Sequence, residues 1–204
     1  MRKVFGIGFH RTGTTSFQTA LETLGYRVVG MRPTEWDAYE REDYDLLRET
    51  AEEFDAFRDM PWPLLYRFLY SEYPDARFVL TWRDPESWAR SCAGNYKHRE
   101  HRMFPKIYGF RQFAGNEEMA IEVYNRHIED VRDFFVDKPG RFLEHDFIAD
   151  PSWEALCTFL GQDRPDRPFP HANKRPRTIW QKGAHHVLRR LAPKRYKAWV
   201  RDRR

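Results

Sequence analysis

Val4-Phe5-Gly6-Ile7-Gly8-Phe9-His10-Arg11-Thr12-Gly13-Thr14-Thr15-Ser16-Phe17 is the stretch on which the reading of this chain turns. An apolar run fit for a buried strand breaks at Gly8, passes through a short polar loop and restarts at Thr14 as an amphipathic helix, which is a strand, phosphate loop, helix unit. Gly8 and Gly13 have the G-x-x-x-x-G spacing of a P-loop, in which glycines let the backbone curl until several N–H groups face an anion and the next helix adds its positive dipole end. In the nucleotide-hydrolysing version of that loop the two following residues are Lys and Ser/Thr; here they are Thr14 and Thr15. The absent lysine argues against a triphosphate, while the loop itself still suits a phosphate or sulfate, with Arg11 as the cation inside it. The alternative is a tight turn with threonine caps.

Outward from the loop the chain alternates strand and helix. Thr15 to Leu24 puts Phe17, Leu21 and Leu24 on one helical face, with Gly25 placed as a C-cap. Tyr26 to Val29 reads as a strand, Glu35 to Phe54 as one acidic helix, and Phe54 to Asp59 as a strand stopped by Met60-Pro61-Trp62-Pro63. Leu64 to Tyr73 reads as a helix and Arg77 to Trp82 as a strand, after which Asp84-Pro85 has the signature of a helix start. Residues 94–115 have no period, and an aromatic-rich stretch of that kind suggests a functional loop. Asn116 to Phe135 reads as a long helix with Met119, Val123, Tyr124, Ile128, Val131 and Phe135 inward; a strand at Arg141 to Glu144 and a helix from Trp153 to Gly161 follow. This order predicts an α/β, P-loop-type three-layer fold with a central, mostly parallel sheet flanked by helices.

The 204 residues suit one domain at about 100–200 residues each. Aromatic residues make up 16% and charged residues 32%, the mark of a globular chain with an aromatic interior. Cys92 and Cys157 lack metal-ligand spacing and point to neither a disulfide framework nor a zinc site. The apolar stretch after Arg2-Lys3 is too short for a signal peptide or membrane span, so a cytoplasmic location is expected. The net charge of +4 is unevenly spread. Residues 174–204 hold twelve Lys or Arg against one acid and carry +11, which leaves −7 on residues 1–173. The division expected is an α/β domain over 1–173 and a basic helical tail over 174–204. The tail is read as amphipathic helix packed on the domain, then as a contact for acidic lipid or a polyanion. No recognition motif supports nucleic acid.

A second anion site is readable at Arg83, which stands at the carboxyl end of the strand Arg77 to Trp82, the edge where ligands bind in open parallel sheets. Ser91 lies eight residues on and, with Ser87, can face back over that edge, so Arg83 and Ser91 suit a second phosphate. With both sites in view the chain resembles sulfotransferases that use 3′-phosphoadenosine 5′-phosphosulfate (PAPS). Arg11-Thr12-Gly13-Thr14-Thr15 is similar to the family's Lys-Ser-Gly-Thr-Thr loop for the 5′-phosphosulfate, and Arg83-Asp84-Pro85 with Ser91 is similar to its 3′-phosphate site. Tyr73-Pro74-Asp75-Ala76-Arg77-Phe78 and Phe159-Leu160-Gly161 add supporting text.

The resemblance implies in-line transfer of a sulfuryl group from PAPS to a hydroxyl or amine of a small-molecule or saccharide acceptor, with no metal. The donor falls to Arg11, Thr12, Gly13, Thr14, Thr15, Ser16, Arg83 and Ser91. Three departures stand out: Arg11 replaces the family's lysine and, staying protonated, acts electrostatically; Ser16 replaces an aromatic residue; and the Arg-Lys-Gly element that often closes on the 3′-phosphate is absent, with Lys174-Arg175 as a loose counterpart. Asp59, at a predicted strand end before a rigid proline turn, is the candidate base that takes the acceptor's proton, with helix capping as its other reading. Residues 94–115 are the candidate acceptor lid. The rival functions are a P-loop small-molecule kinase and a non-catalytic nucleotide or polyanion binder.

Overall fold

A computed structural model describes residues 2–171. Five strands form one sheet in the order β2-β3-β1-β4-β5, comprising β1 (Val4–Gly6), β2 (Val28–Val29), β3 (Ala56–Phe57), β4 (Arg77–Thr81) and β5 (Phe142–His145), and all four pairings are parallel. The α/β three-layer architecture read from the sequence is therefore the fold. Side chains alternate across the pleat, so Val4 and Val79 face one layer while Phe5, Phe78 and Leu80 face the other. The first layer holds α1 (Thr14–Thr23) and α8 (Trp153–Leu160), through Phe17, Leu21 and Leu156. The second holds α2 (Pro33–Glu40), α3 (Tyr44–Glu53), α4 (Tyr66–Glu72), α5 (Pro85–Tyr96), α6 (Phe104–Tyr108) and α7 (Glu117–Phe135).

The connection after β1 thus leaves toward one layer and the connection after β4 toward the other. Two neighbouring strands whose chains part in this way leave a crevice at their carboxyl ends, the place where open α/β sheets take their ligands. The phosphate loop and Arg83 both border it.

Four local expectations are corrected. The stretch from Glu35 to Phe54 is two helices, because Glu42 turns left-handed (φ 58°) and Asp43 caps α3 by accepting from the Leu46 amide at 3.2 Å. The helix expected from Leu64 begins as a 3-10 turn, Trp62–Leu65, before α4. Met119 is 48% exposed; the inward face of α7 is carried by Tyr124, His127, Ile128, Val131 and Phe135. Residues 94–115 are ordered: α5 runs on to Tyr96, α6 follows, and an antiparallel bridge joins Glu100 to Gln112. Phe104, Tyr108 and Phe113 are buried in the core, each worth about 1.5–3 kcal/mol of apolar burial. A mixture of aromatic and basic residues hides any helical period when half of the aromatics point inward. The basic tail from residue 174 lies outside the described residues.

Candidate active site

The phosphate loop leaves the sheet where Gly8 passes β4. A Cβ at Gly8 would collide with the carbonyl oxygen and hydroxyl of Thr81, so only glycine fits. Arg11 (φ 66°) and Gly13 (φ 91°) both take left-handed backbone, which curls the loop before α1. The carbonyls of Phe9, His10 and Arg11 are engaged by the protein: Thr12 Oγ1 donates to Phe9 at 2.6 Å, Trp88 Nε1 to His10 at 2.9 Å and Arg83 Nη1 to Arg11 at 3.5 Å. In a trans peptide the N–H lies opposite its carbonyl, so the amides of His10, Arg11 and Thr12 point away from the donors that hold those carbonyls. Helix α1 has no side-chain cap at Gly13 and no acid in its first turn, which leaves its positive end uncompensated.

Two guanidinium groups meet over this loop. Arg83, two residues beyond β4, donates from Nε and Nη2 to Ser87 Oγ at 3.0 and 2.8 Å, while Arg11 Nε donates to Ser91 Oγ at 3.1 Å. The sequence expectation paired Arg83 with Ser91; in the structure Ser87 takes Arg83 and Ser91 takes Arg11, and the four lie together because Ser87 and Ser91 are one turn apart on α5. Among the described residues neither arginine has a carboxylate within ion-pair distance. Burial, and then the charge of Arg11, hold the pKa of Arg83 below the usual arginine value; Asp146 pulls the other way. Asp146 is committed to its own turn, where Oδ1 accepts from the amides of Ile148 and Ala149 at 2.8 and 3.0 Å.

Of the loop side chains, Thr12 is fully buried and its hydroxyl also meets Thr81 Oγ1 at 2.6 Å, so it ties the loop to β4. Thr14 and Ser16 are buried in the first turn of α1, and Thr15 between them is half-buried. His10 packs among Trp88, Tyr96, Phe104 and Tyr108, with Nε2 at 3.1 Å from the Tyr108 hydroxyl. Burial, then His101 and Arg11, push its pKa down to about 3, so it stands neutral beneath the loop.

Asp59 ends the β3 edge in left-handed backbone (φ 60°). Its Oδ2 pairs with Arg58 Nη1, and Arg58 Nε donates to Gln18 Oε1 of α1 at 2.6 Å. Its Oδ1 is buried with no hydrogen-bond partner among the described residues. Burial foremost, then the charges of Cys92 and Asp59, raise the pKa of Tyr96, and Arg11 lowers it, so Asp59 and Arg11 are both within electrostatic reach of that phenol.

Three residues of this rim escaped the sequence reading. Arg58 is an unremarkable strand-end charge until Gln18, forty residues earlier, is placed beside it. Tyr124 reads as a core aromatic and Trp88 carries no signal of its own, yet the Tyr124 hydroxyl accepts from the Arg83 amide at 3.0 Å and donates to the Arg83 carbonyl at 2.9 Å, and Trp88 holds the loop through His10. Glu144, His145 and Asp146 are structural: Glu144 pairs with Arg132, and His145 Nε2 bonds the Asp150 carbonyl at 2.8 Å.

A sulfotransferase domain family model matches residues 3–110 and 95–178. This chain belongs to that sulfotransferase family. The match spans the phosphate loop, Arg83 and the whole sheet. Among curated proteins, the Ava biosynthesis cluster protein M of Aspergillus versicolor is 25% identical to it, with 91% of each chain covered.

Proposed function

We propose that the chain moves a sulfuryl group from PAPS to an acceptor hydroxyl or amine by in-line transfer. The observation that carries this reading is the pair Arg11 and Arg83, two neighbouring guanidiniums with serine partners and no carboxylate in ion-pair range among the described residues, beside a loop that leads into the N-terminus of α1. Two half-buried cations held this close repel one another, a cost that a bound anion would offset. The two phosphate-bearing ends of the donor fit them: the loop, Arg11, Thr14 and Thr15 at the 5′ end, Arg83 with Ser87 at the 3′ end.

When bound, the donor supplies the activated sulfuryl group. Arg11 and the loop amides offset charge that grows on the leaving and equatorial oxygens, the dominant need of such transfers. Because a guanidinium stays protonated at any working pH, Arg11 holds charge and passes no proton. The proton of a hydroxyl acceptor goes to the Asp59 carboxylate, which Arg58 holds through Oδ2 while its own Nε reaches back to Gln18 of α1. The reading calls for no metal ion.

The test is binding of 3′-phosphoadenosine 5′-phosphate (PAP), with 5′-AMP and magnesium ATP beside it, to the wild type and to Arg83→Ala. Tight binding that needs the 3′-phosphate, ignores magnesium and collapses in the variant supports the donor assignment. Preference for magnesium ATP would make the chain a kinase, a reading that Thr14 in the place of the P-loop lysine already disfavours.

A further inference from the structure

The two anion sites are built on different strands, yet a single chain of contacts runs between them. Tyr124, in the middle of α7, closes a ring with the backbone of Arg83 by accepting from its N–H (3.0 Å) and donating to its carbonyl (2.9 Å). The Tyr124 ring lies flat on the Trp88 indole, with centroids 4.2 Å apart and planes 7° from parallel. Trp88 Nε1 then donates to the His10 carbonyl in the phosphate loop at 2.9 Å. Trp88 is fully buried and Tyr124 nearly so, and burial pushes the Tyr124 hydroxyl's pKa up, keeping it a neutral group that donates and accepts at once. Phe9 and His10 pack against the same two rings.

We infer that Tyr124 and Trp88 are positioning residues for the donor: a rigid spacer that fixes how far the Arg83 site stands from the phosphate loop, and so makes the protein select a nucleotide with phosphates at both ends. The reasoning is geometric. Arg83 lies beyond the last paired residue of β4, where ladder hydrogen bonds no longer hold the backbone, and its guanidinium reaches the loop only through one long bond to the Arg11 carbonyl. What holds its backbone is the Tyr124 hydroxyl. What holds the loop's matching carbonyl is the indole stacked on that same ring. Neither residue touches the predicted ligand positions directly; each acts through the group it holds.

This inference rests on the donor reading above, and its experiment separates the two. PAP and 5′-AMP affinities are measured by titration calorimetry on the wild type, Tyr124→Phe and Trp88→Phe, each well below its thermal midpoint. Tyr124→Phe keeps the stack and removes both bonds to Arg83, so PAP binding should weaken about tenfold, the effect of unsatisfying a buried polar group. Binding of 5′-AMP, which uses the loop alone, should stay within twofold. Trp88→Phe should weaken both nucleotides together, because the loop carbonyl loses its donor. An equal loss of both ligands in Tyr124→Phe would mean general destabilisation and would overturn the inference, as would unchanged PAP affinity. No PAP binding by the wild type would instead remove the donor reading and the inference with it.

Discussion

The carboxyl edge of the sheet has two unlike halves. On the side of β1 and β4, Arg11 and Arg83 make hydrogen bonds to serines and a carbonyl and meet no acid among the described residues. On the side of β2 and β3 arginines are answered by acids: Arg58 by Asp59, Arg32 by Glu35, and Arg102, from the segment after α5, by Asp37 and Glu40 of α2. The first half is left with two positive charges, whereas in the second the carboxylates match or outnumber the arginines. A cation left without its counter-charge is costly to the fold and marks the place where a ligand brings negative charge. A paired cation is already used. On the proposed function the first half would hold the donor, and Asp59 would be the group through which the second half enters the chemistry.

That contrast can be broken, and the largest effect is expected at the border. Asp59→Asn should lower turnover about a thousandfold, within the range for a positioned base, while PAP affinity stays near wild type; steady-state rates and calorimetry together check it, and unchanged turnover removes Asp59 from the mechanism. Arg11→Ala, on the unpaired side, should lower the rate roughly 100-fold as charge on the leaving group goes unopposed. It should weaken PAP as well, which Asp59→Asn does not. Gly8→Ala tests whether the unpaired half depends on loop shape: its Cβ meets Thr81 backbone, so a loss at or above the about 1–3 kcal/mol usual for overpacking is expected in urea unfolding.

Much of the donor half is legible in the sequence because its signals are local. Gly8, Gly13 and the threonines lie within one short stretch, and Arg83 is eight residues from Ser91. The strands carrying them are fully buried, so their apolar runs read clearly. The second half has local pairs, Arg58 with Asp59 and Arg32 with Glu35, but it also depends on contacts distant in sequence, Arg102 with Asp37 and Arg58 with Gln18, which no periodicity reports. The same holds for Tyr124, whose inward position is written in the helical repeat while its bond to Arg83, 41 residues away, is not. Residues 94–115 misled because their aromatics serve the core beneath His10, and Glu35 to Phe54 because a left-handed Glu42 leaves no mark in the apolar pattern.

Two smaller measurements sharpen the comparison. The donor half holds its charge on guanidiniums alone; its imidazole, His10, is kept neutral with a pKa near 3, and His127, bonded to the Ile7 carbonyl at 2.8 Å, is pushed to about 4 by burial. Both fall below the unfolded value of 6.5. Between pH 6.5 and about 4 the unfolded chain therefore binds protons that the native chain refuses, and stability should fall as pH falls, by roughly 2 kcal/mol per histidine at pH 5. Urea unfolding across that range checks it, and His127→Gln should reduce the slope. Last, Arg102→Ala on the paired side should change stability by no more than about 1 kcal/mol, since its partners are exposed, and should leave PAP binding untouched.

The outer strands of the sheet carry a consequence for how this protein behaves among its own copies. At one edge β2 offers two residues and at the other β5 offers four. A strand of two residues presents too short a row of open backbone groups to template another chain, and among the described residues β5 pairs on one side only. The longest strand, β4, lies inside the sheet between β1 and β5. Crowded solutions of this protein should therefore resist strand-to-strand aggregation while native, and become prone to it only when unfolding lays bare Val4–Gly6 and Arg77–Thr81.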